Sequence, residues 1–142
     1  MKKYSFEELT KLKKNTYIVD VKYDREIHYE PVFKLWTVFM RLSHPELPAK
    51  EIFEIAGIDT SILNNDLPRR NIHNWCEMYI EYGREYFLNK MNYTIYNPFF
   101  YELSKNILSE IKKYDEKIEF IKEARKNGLP TYFTYIWYRC KN

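Results

Sequence analysis

The chain has 142 residues, of which 45% are hydrophobic and 18% aromatic, and its formal net charge at pH 7 is +3. This length suffices for one domain or a closely packed pair, and the aromatic content predicts a core rich in large rings. Only three glycines are present, and no apolar run of about 18 residues occurs, which argues against disorder and against a transmembrane helix. A charge of +3 alone is a poor reason to expect nucleic-acid binding.

The start of the sequence and its cysteines bear on the cellular compartment. Lys2 and Lys3 follow Met1 without an apolar segment, so we expect no signal peptide. Cys76 and Cys140 are far apart in sequence and form no CxxC motif, which suits reduced, partly buried thiols. We therefore expect a cytoplasmic protein.

The first predicted element is a short helix over residues 5–14. Ser5 and Glu8 have the spacing of a capping box, and apolar residues follow at helical spacing. The helix closes with the cations Lys11, Lys13 and Lys14. We favour the interpretation that these cations compensate the negative end of the helix dipole, and a basic arm lying along DNA is the alternative.

A second helix is predicted from Pro31, since proline suits a first helical position. An apolar stripe follows at three- and four-residue steps, formed by Val32, Leu35, Trp36, Phe39 and Leu42. Lys34 and Arg41 flank this stripe, and we interpret both as part of a solvated face rather than as phosphate contacts.

A third, short helix is predicted from Ala49 to Ala56, after the break at Pro48. Gly57 ends it, because glycine readily adopts the left-handed conformation that follows a helix. Glu51 and Glu54 make this helix an unlikely phosphate binder.

A further helix is predicted to begin near Arg69, because Pro68 resets the chain for a new helix. Its buried stripe comprises Ile72, Trp75, Cys76, Tyr79 and Ile80. Its opposite face comprises Arg70, Asn71, His73, Asn74 and Glu77. Arginines beside the exposed amides of a helix start favour a phosphate or a guanine edge, and asparagine amides can pair with adenine in the major groove.

The order of these elements resembles a known family. The resemblance rests on Tyr29, Pro31, Phe33, Ile52, Phe53, Ala56, Gly57, Ile72, Trp75 and Tyr79, together with the breaks at Pro48 and Pro68. Over residues 5–83 the chain resembles the transposase-like helix-turn-helix domain of small clostridial proteins, which is similar to the N-terminal DNA-binding domain of insertion-sequence transposases. The resemblance implies a short strand pair at 15–19 and 27–29, and DNA binding. Extra residues between Ser61 and Pro68 depart from the pattern and leave open which helix reads the groove.

The C-terminal part is predicted to be helical after Asn97 and Pro98, with apolar residues at helical intervals from Phe100 to Ile121. One helix of about 30 residues would be unusually long, so we expect either a break near Tyr114 or packing in a dimer. The aromatic, β-branched run at 131–138 predicts a strand that pairs with Tyr93–Tyr96, with the N-terminal strands or with another chain.

Catalytic and metal sites find little support in the sequence. No P-loop, GxSxG, HExxH or CxxC pair occurs, so we expect no enzyme and no cofactor. His73 and Cys76 would supply only two of the four ligands of a tetrahedral zinc site, and they lie on different faces of the predicted helix. We therefore expect no metal.

We expect a mainly α fold with minor β structure, organised as three parts. Residues 1–25 form an N-terminal helix and strand, residues 26–90 a three-helix helix-turn-helix domain, and residues 91–142 a C-terminal helical region for oligomerisation. A short β-hairpin precedes the three helices, and a long helix or helical hairpin and the aromatic strand follow them.

The expected function is that of a small DNA-binding protein, either a transcriptional regulator or a mobile-element or phage protein. Its partner would be duplex DNA, read by the helix starting near Arg69. The candidate DNA-binding residues are Arg69, Arg70, Asn71, His73, Asn74, Thr60 and Ser61. The alternative is a non-enzymatic protein-interaction module, for example a phage- or plasmid-borne inhibitor that binds a partner protein through its helical and aromatic C-terminal surface. A homodimer through the C-terminal region is a further expectation, and a membrane is not.

Overall fold

The computed structural model describes residues 2–90 and 97–128, and this part of the chain is mainly helical with one small antiparallel sheet. The elements in chain order are α1 (Phe6–Lys13), β1 (Ile18–Lys22), β2 (Glu26–Tyr29), α2 (Pro31–Ser43), α3 (Ala49–Ile55), α4 (Leu67–Lys90), α5 (Pro98–Ile111), a 3-10 turn (Lys112–Tyr114) and α6 (Asp115–Lys126). The prediction of a mainly α fold with minor β structure is confirmed. The predicted strand at 131–138 and the segment Tyr93–Tyr96 lie outside the described residues, as does Cys140.

The N-terminal helix begins with the predicted capping box. The Ser5 hydroxyl accepts a hydrogen bond from the Glu8 amide (3.2 Å), and the Glu8 carboxylate accepts one from the Ser5 amide (2.9 Å). The Ser5 amide, together with the Lys2 ammonium, holds the pKa of the Glu8 carboxyl below its usual range. Two orphan amides of the helix start are thus satisfied locally.

The hairpin that follows joins β1 to β2, with Val21 opposite Ile27. Its turn places Tyr23 and Asp24 in the left-handed region, at φ of 55° and 57°. The Tyr4 amide donates to the Asp24 carbonyl (2.7 Å) and so ties the start of the chain to this turn.

Helix α2 begins at Pro31 as predicted and is the central helix, packed against both α4 and α5. The prediction that Arg41 lies on a solvated face is wrong. Arg41 is buried, and its guanidinium donates to the carbonyls of Pro45 (3.1 Å) and Leu47 (2.7 Å). Because these carbonyls belong to the loop before α3, Arg41 fixes the path from α2 to α3.

The connection from α3 to α4 spans residues 56–66 and consists of turns and irregular backbone. Gly57 adopts the predicted left-handed conformation, with φ of +83°. α4 then begins at Leu67, two residues before the predicted start at Arg69. This connection is longer than the three- or four-residue turn typical of a helix-turn-helix.

Helix α4 carries the predicted buried stripe and a kink that the sequence pattern did not predict. The stripe residues are all buried, namely Ile72, Trp75, Cys76, Tyr79 and Ile80. Gly83 interrupts the helical backbone with φ of 74°. The rings of Tyr29, Phe33 and Phe53 pack against one another and against Trp75 of this stripe, with centroid distances of 5.1–6.2 Å.

The C-terminal helices α5 and α6 are separated by the 3-10 turn Lys112–Tyr114, which confirms the predicted break near Tyr114. Asp115, at the start of α6, pairs with Arg84 of α4 (2.7 Å), whereas Arg125, near its end, pairs with Glu77 (2.6 Å). α6 therefore runs antiparallel to α4. Within the described residues, no helix has both the length and the apolar character needed to cross a membrane.

Candidate nucleic-acid interface

The exposed start of α4 presents both predicted arginines to solvent. Arg69 lies 3.6 Å from Asp66, and both side chains are about two-thirds exposed, at 67% and 70%. Such an exposed pair holds the guanidinium only weakly. Arg70 is exposed, and within the described residues no ion pair engages it. The first turn of α4 therefore offers two cations that a ligand can bind.

The polar face of α4 continues for one more turn. Asn74 is exposed and lies four residues after Arg70, which places both side chains on one face of the helix. Asn71 is half-buried, and so is His73, whose Nε2 lies 4.0 Å from the Glu77 carboxylate.

Beyond the second turn, acidic residues end this face. Glu77 is held by Arg125 of α6, and Glu81 is exposed. Glu77 is neutralised by this ion pair, but the exposed carboxylate of Glu81 repels phosphate, so the part of α4 suited to an anionic ligand is its first two turns.

Thr60 and Ser61 lie in the connection before α4, and both hydroxyls are engaged by acids. Thr60 is buried and donates to the Glu54 carboxylate (2.7 Å). Ser61 donates to Asp59 through its hydroxyl (2.5 Å) and its amide (3.1 Å). These bonds hold the pKa of the Asp59 carboxyl below its usual range. The sequence grouped Thr60 and Ser61 with the arginines, but their hydroxyls already serve a local role.

Helix α1 lies against the same connection, which the sequence alone did not reveal. The Asn15 side chain, just after α1, donates to the Ala56 carbonyl (3.0 Å). At the other end, the Lys2 ammonium donates to the Ile62 carbonyl (2.5 Å). The lysines of α1 are therefore neighbours of the segment that leads into α4. Their clustering was visible in the sequence, but their position in space was not.

An apolar cleft of about 440 Å³ lies elsewhere on the molecule, between the start of β1 and helices α2, α3 and α5. Its walls include Tyr17, Phe33, Trp36, Ile55, Phe99 and Leu103. Ile55 and Phe99 are 59% and 66% exposed, so the cleft has an apolar rim. Trp36, from the apolar stripe of α2, is half-buried, packs against the core and forms part of this wall.

Metal ligands and the thiol of Cys76 can be assessed for the part of the chain that the structure describes. The described residues include no group of three or more His, Cys, Asp or Glu side chains placed to hold a metal ion. Cys76 is buried, and desolvation raises the pKa of its thiol to about 12, so it is protonated near neutral pH. No protein-family model, curated protein or solved structure matches this chain.

Proposed function

We propose that this protein is a small, non-enzymatic DNA-binding protein, acting as a transcriptional regulator or within a mobile element or phage. The observation that carries the proposal is that Arg70 and Asn74 lie on one exposed face of α4. Arg70 is exposed at a helix start and has no ion pair among the described residues, and Asn74 lies one turn further on the same face. The sequence resemblance to transposase-like helix-turn-helix domains supports the same function.

In the proposed complex, the first two turns of α4 enter the major groove, which is about 12 Å wide and admits a helix. Arg69 and Arg70 bind a phosphate or the acceptor edge of guanine, both of which suit a guanidinium. Asn74 donates to and accepts from an adenine edge. The exposed carboxylate of Glu81 keeps the later turns away from the phosphates.

The experiment measures binding of the wild type to a random-sequence duplex pool across a salt series, with selection of the bound sequences. Arg69→Ala/Arg70→Ala should weaken binding and reduce the slope of log affinity against log salt by up to about 1.8, since each lost phosphate contact removes about 0.9. The matched control is Lys113→Ala/Lys126→Ala, which removes the same charge from α5–α6, where both lysines pair with a neighbouring glutamate.

Asn74→Ala separates base reading from phosphate binding. It should leave the salt slope unchanged and relax the selected sequence at one position. If the wild type does not bind any duplex at low salt, the proposal is wrong. Equal weakening by the arginine variant and its control would also contradict it.

A second candidate function is a protein-interaction module, which the apolar rim of the cleft favours. Ile55 and Phe99 expose more than half of their surface beside a concave apolar wall. Such surfaces often bind partner proteins. Ile55→Ser/Phe99→Ser removes this apolar rim and should therefore abolish capture of a protein partner. Because it changes no charge, it should leave DNA binding at the wild-type level.

A further inference from the structure

We propose that α1 is a second DNA-contacting element, which binds backbone phosphates through Lys11, Lys13 and Lys14 beside the groove occupied by α4. This inference rests on the proposed function and names a further part of the same interface. The lysines would contribute affinity and orientation but no base recognition, because phosphates are alike in every sequence.

Two long-range hydrogen bonds fix the position of α1. The Lys2–Ile62 and Asn15–Ala56 hydrogen bonds lie at opposite ends of the helix. Both acceptors are backbone carbonyls of the connection between α3 and α4. α1 is therefore fixed along this connection, with its N-terminal end beside Ile62 and its lysine-bearing end beside Ala56. The connection leads from there into the arginines of α4. In the proposed complex the lysines therefore contact phosphates on the flank of the duplex and not beside Arg69.

Lys11, Lys13 and Lys14 are available to bind a phosphate. All three are exposed, and within the described residues no ion pair joins Lys13 or Lys14 to an acid. Lys11 lies near Asp59, but its ammonium forms no ion pair within 4.0 Å in that part of the chain. A phosphate would meet these cations without displacing an existing partner.

Acids near the lysines would repel the phosphate backbone. Glu8 pairs with Lys2, whereas Glu54 and Asp59 accept hydrogen bonds from neutral hydroxyls and keep their negative charge. Residues 2–14 and 56–70 together contain seven lysines and arginines and four acids. With the charged residues of α3 included, the cations still exceed the acids, by eight to six. The charge of this part of the molecule therefore favours phosphate.

The competing explanation is that the lysines only compensate the negative end of the α1 dipole. That role would affect the stability of the helix and would leave DNA affinity unchanged. Salt-dependent binding therefore distinguishes the two explanations.

The test compares two triple variants with the wild type on the same duplex pool. Lys11→Gln/Lys13→Gln/Lys14→Gln should lower the slope of log affinity against log salt by up to about 2.7. The ratio of wild-type affinity to variant affinity should therefore fall by up to roughly 40-fold between 50 and 200 mM salt. The selected sequences should stay the same. The control Lys105→Gln/Lys113→Gln/Lys126→Gln removes equal charge from paired lysines and should leave the slope at the wild-type value.

Two further measurements keep the inference testable if the first variant folds poorly. Lys11→Arg/Lys13→Arg/Lys14→Arg retains the charge and should bind like the wild type. On the unmodified protein, duplex DNA should protect Lys11, Lys13 and Lys14, but not Lys105, Lys113 and Lys126, from acetylation read out by mass spectrometry.

The outcomes separate this inference from the proposed function. Suppose that Arg69→Ala/Arg70→Ala weakens binding but the two triple glutamine variants bind equally well. That result would overturn the role of α1 and leave the proposed function standing. Acetylation of the α1 lysines that is unchanged by bound DNA would overturn it too. Absence of wild-type binding would overturn both.

Discussion

Helix α1 and the C-terminal helices α5 and α6 are both rich in lysine, but they neutralise it differently. Between residues 98 and 126, four lysines pair with the glutamate three residues earlier, namely Lys105–Glu102, Lys113–Glu110, Lys122–Glu119 and Lys126–Glu123, whereas no ion pair is formed by the exposed Lys112 within the described residues. At the end of α1, neither Lys13 nor the following Lys14 has such a pair within the described residues. The net charge of +3 therefore conceals a difference in how the lysines of the two regions are paired.

The whole N-terminal region and the C-terminal helices also differ in the side chains that form their cores. The N-terminal region, residues 2–82, is built on the rings of Tyr29, Phe33, Phe53 and Trp75. The C-terminal helices bury mainly aliphatic side chains, among them Ile107, Leu108, Ile111, Ile118 and Ile121. Both sets nevertheless belong to one continuous cluster of buried residues. We therefore expect the two regions to unfold together.

Phe53→Ala should have the largest effect on stability, lowering the free energy of unfolding by about 3–5 kcal/mol. Phe53 is fully buried and contacts three other rings, so its removal leaves a cavity in the aromatic core. Ile121→Val, in the aliphatic part, should cost about 0.5–1.5 kcal/mol. Chemical denaturation followed by circular dichroism measures both. Two separate transitions, only one of which shifts in each variant, would show that the regions do not share a core.

Arg41→Leu should lower the free energy of unfolding by about 2–3 kcal/mol, because two loop carbonyls lose a charged donor. Arg25→Leu, at the exposed hairpin turn, is the control and should change it by less than about 0.5 kcal/mol. Thermal and denaturant unfolding of both variants provide the comparison. Equal effects would mean that the buried arginine contributes nothing specific.

Arg41 illustrates what the sequence could and could not predict. Local signals determine the element boundaries, so the capping box at Ser5, the proline at Pro31 and the glycine at Gly57 predicted them to within a residue or two. Hydrophobic spacing likewise predicted the buried stripe of α4. The burial of Arg41 depends on a loop that folds back over α2, and spacing along one helix carries no information about such a contact.

The candidate interface was predictable to a similar degree. Helical spacing placed Arg70 and Asn74 on one exposed face, as the structure has them. The contact between α1 and the connection, and the Arg125 contact that engages Glu77, join residues distant in sequence. No local sequence pattern distinguishes these contacts from solvated charges.

The Glu77–Arg125 pair should couple the two regions by about 1–2 kcal/mol in a double-mutant cycle with alanine. The Arg125 guanidinium nitrogen lies 2.6 Å from the Glu77 carboxylate oxygen, and the side chains of Glu77 and Arg125 are 30% and 19% exposed. The Arg84–Asp115 pair joins the same two helices, but its side chains are 30% and 52% exposed, so we expect a coupling of about 0.5–1 kcal/mol. Denaturant unfolding of each single and double variant gives both energies. The reverse ranking would contradict the idea that burial strengthens the inner pair.

The Lys126–Glu123 pair should show the smallest coupling, about 0.2–0.5 kcal/mol, and lose it in 1 M salt. Its side chains are 73% and 64% exposed, with the ion pair at 3.4 Å, so water and salt screen it almost fully. The same alanine cycle at low and high salt measures the coupling. A value above about 1 kcal/mol would mean that such pairs stabilise α6 appreciably. A small value would mean that their main effect is to neutralise the lysines of α6.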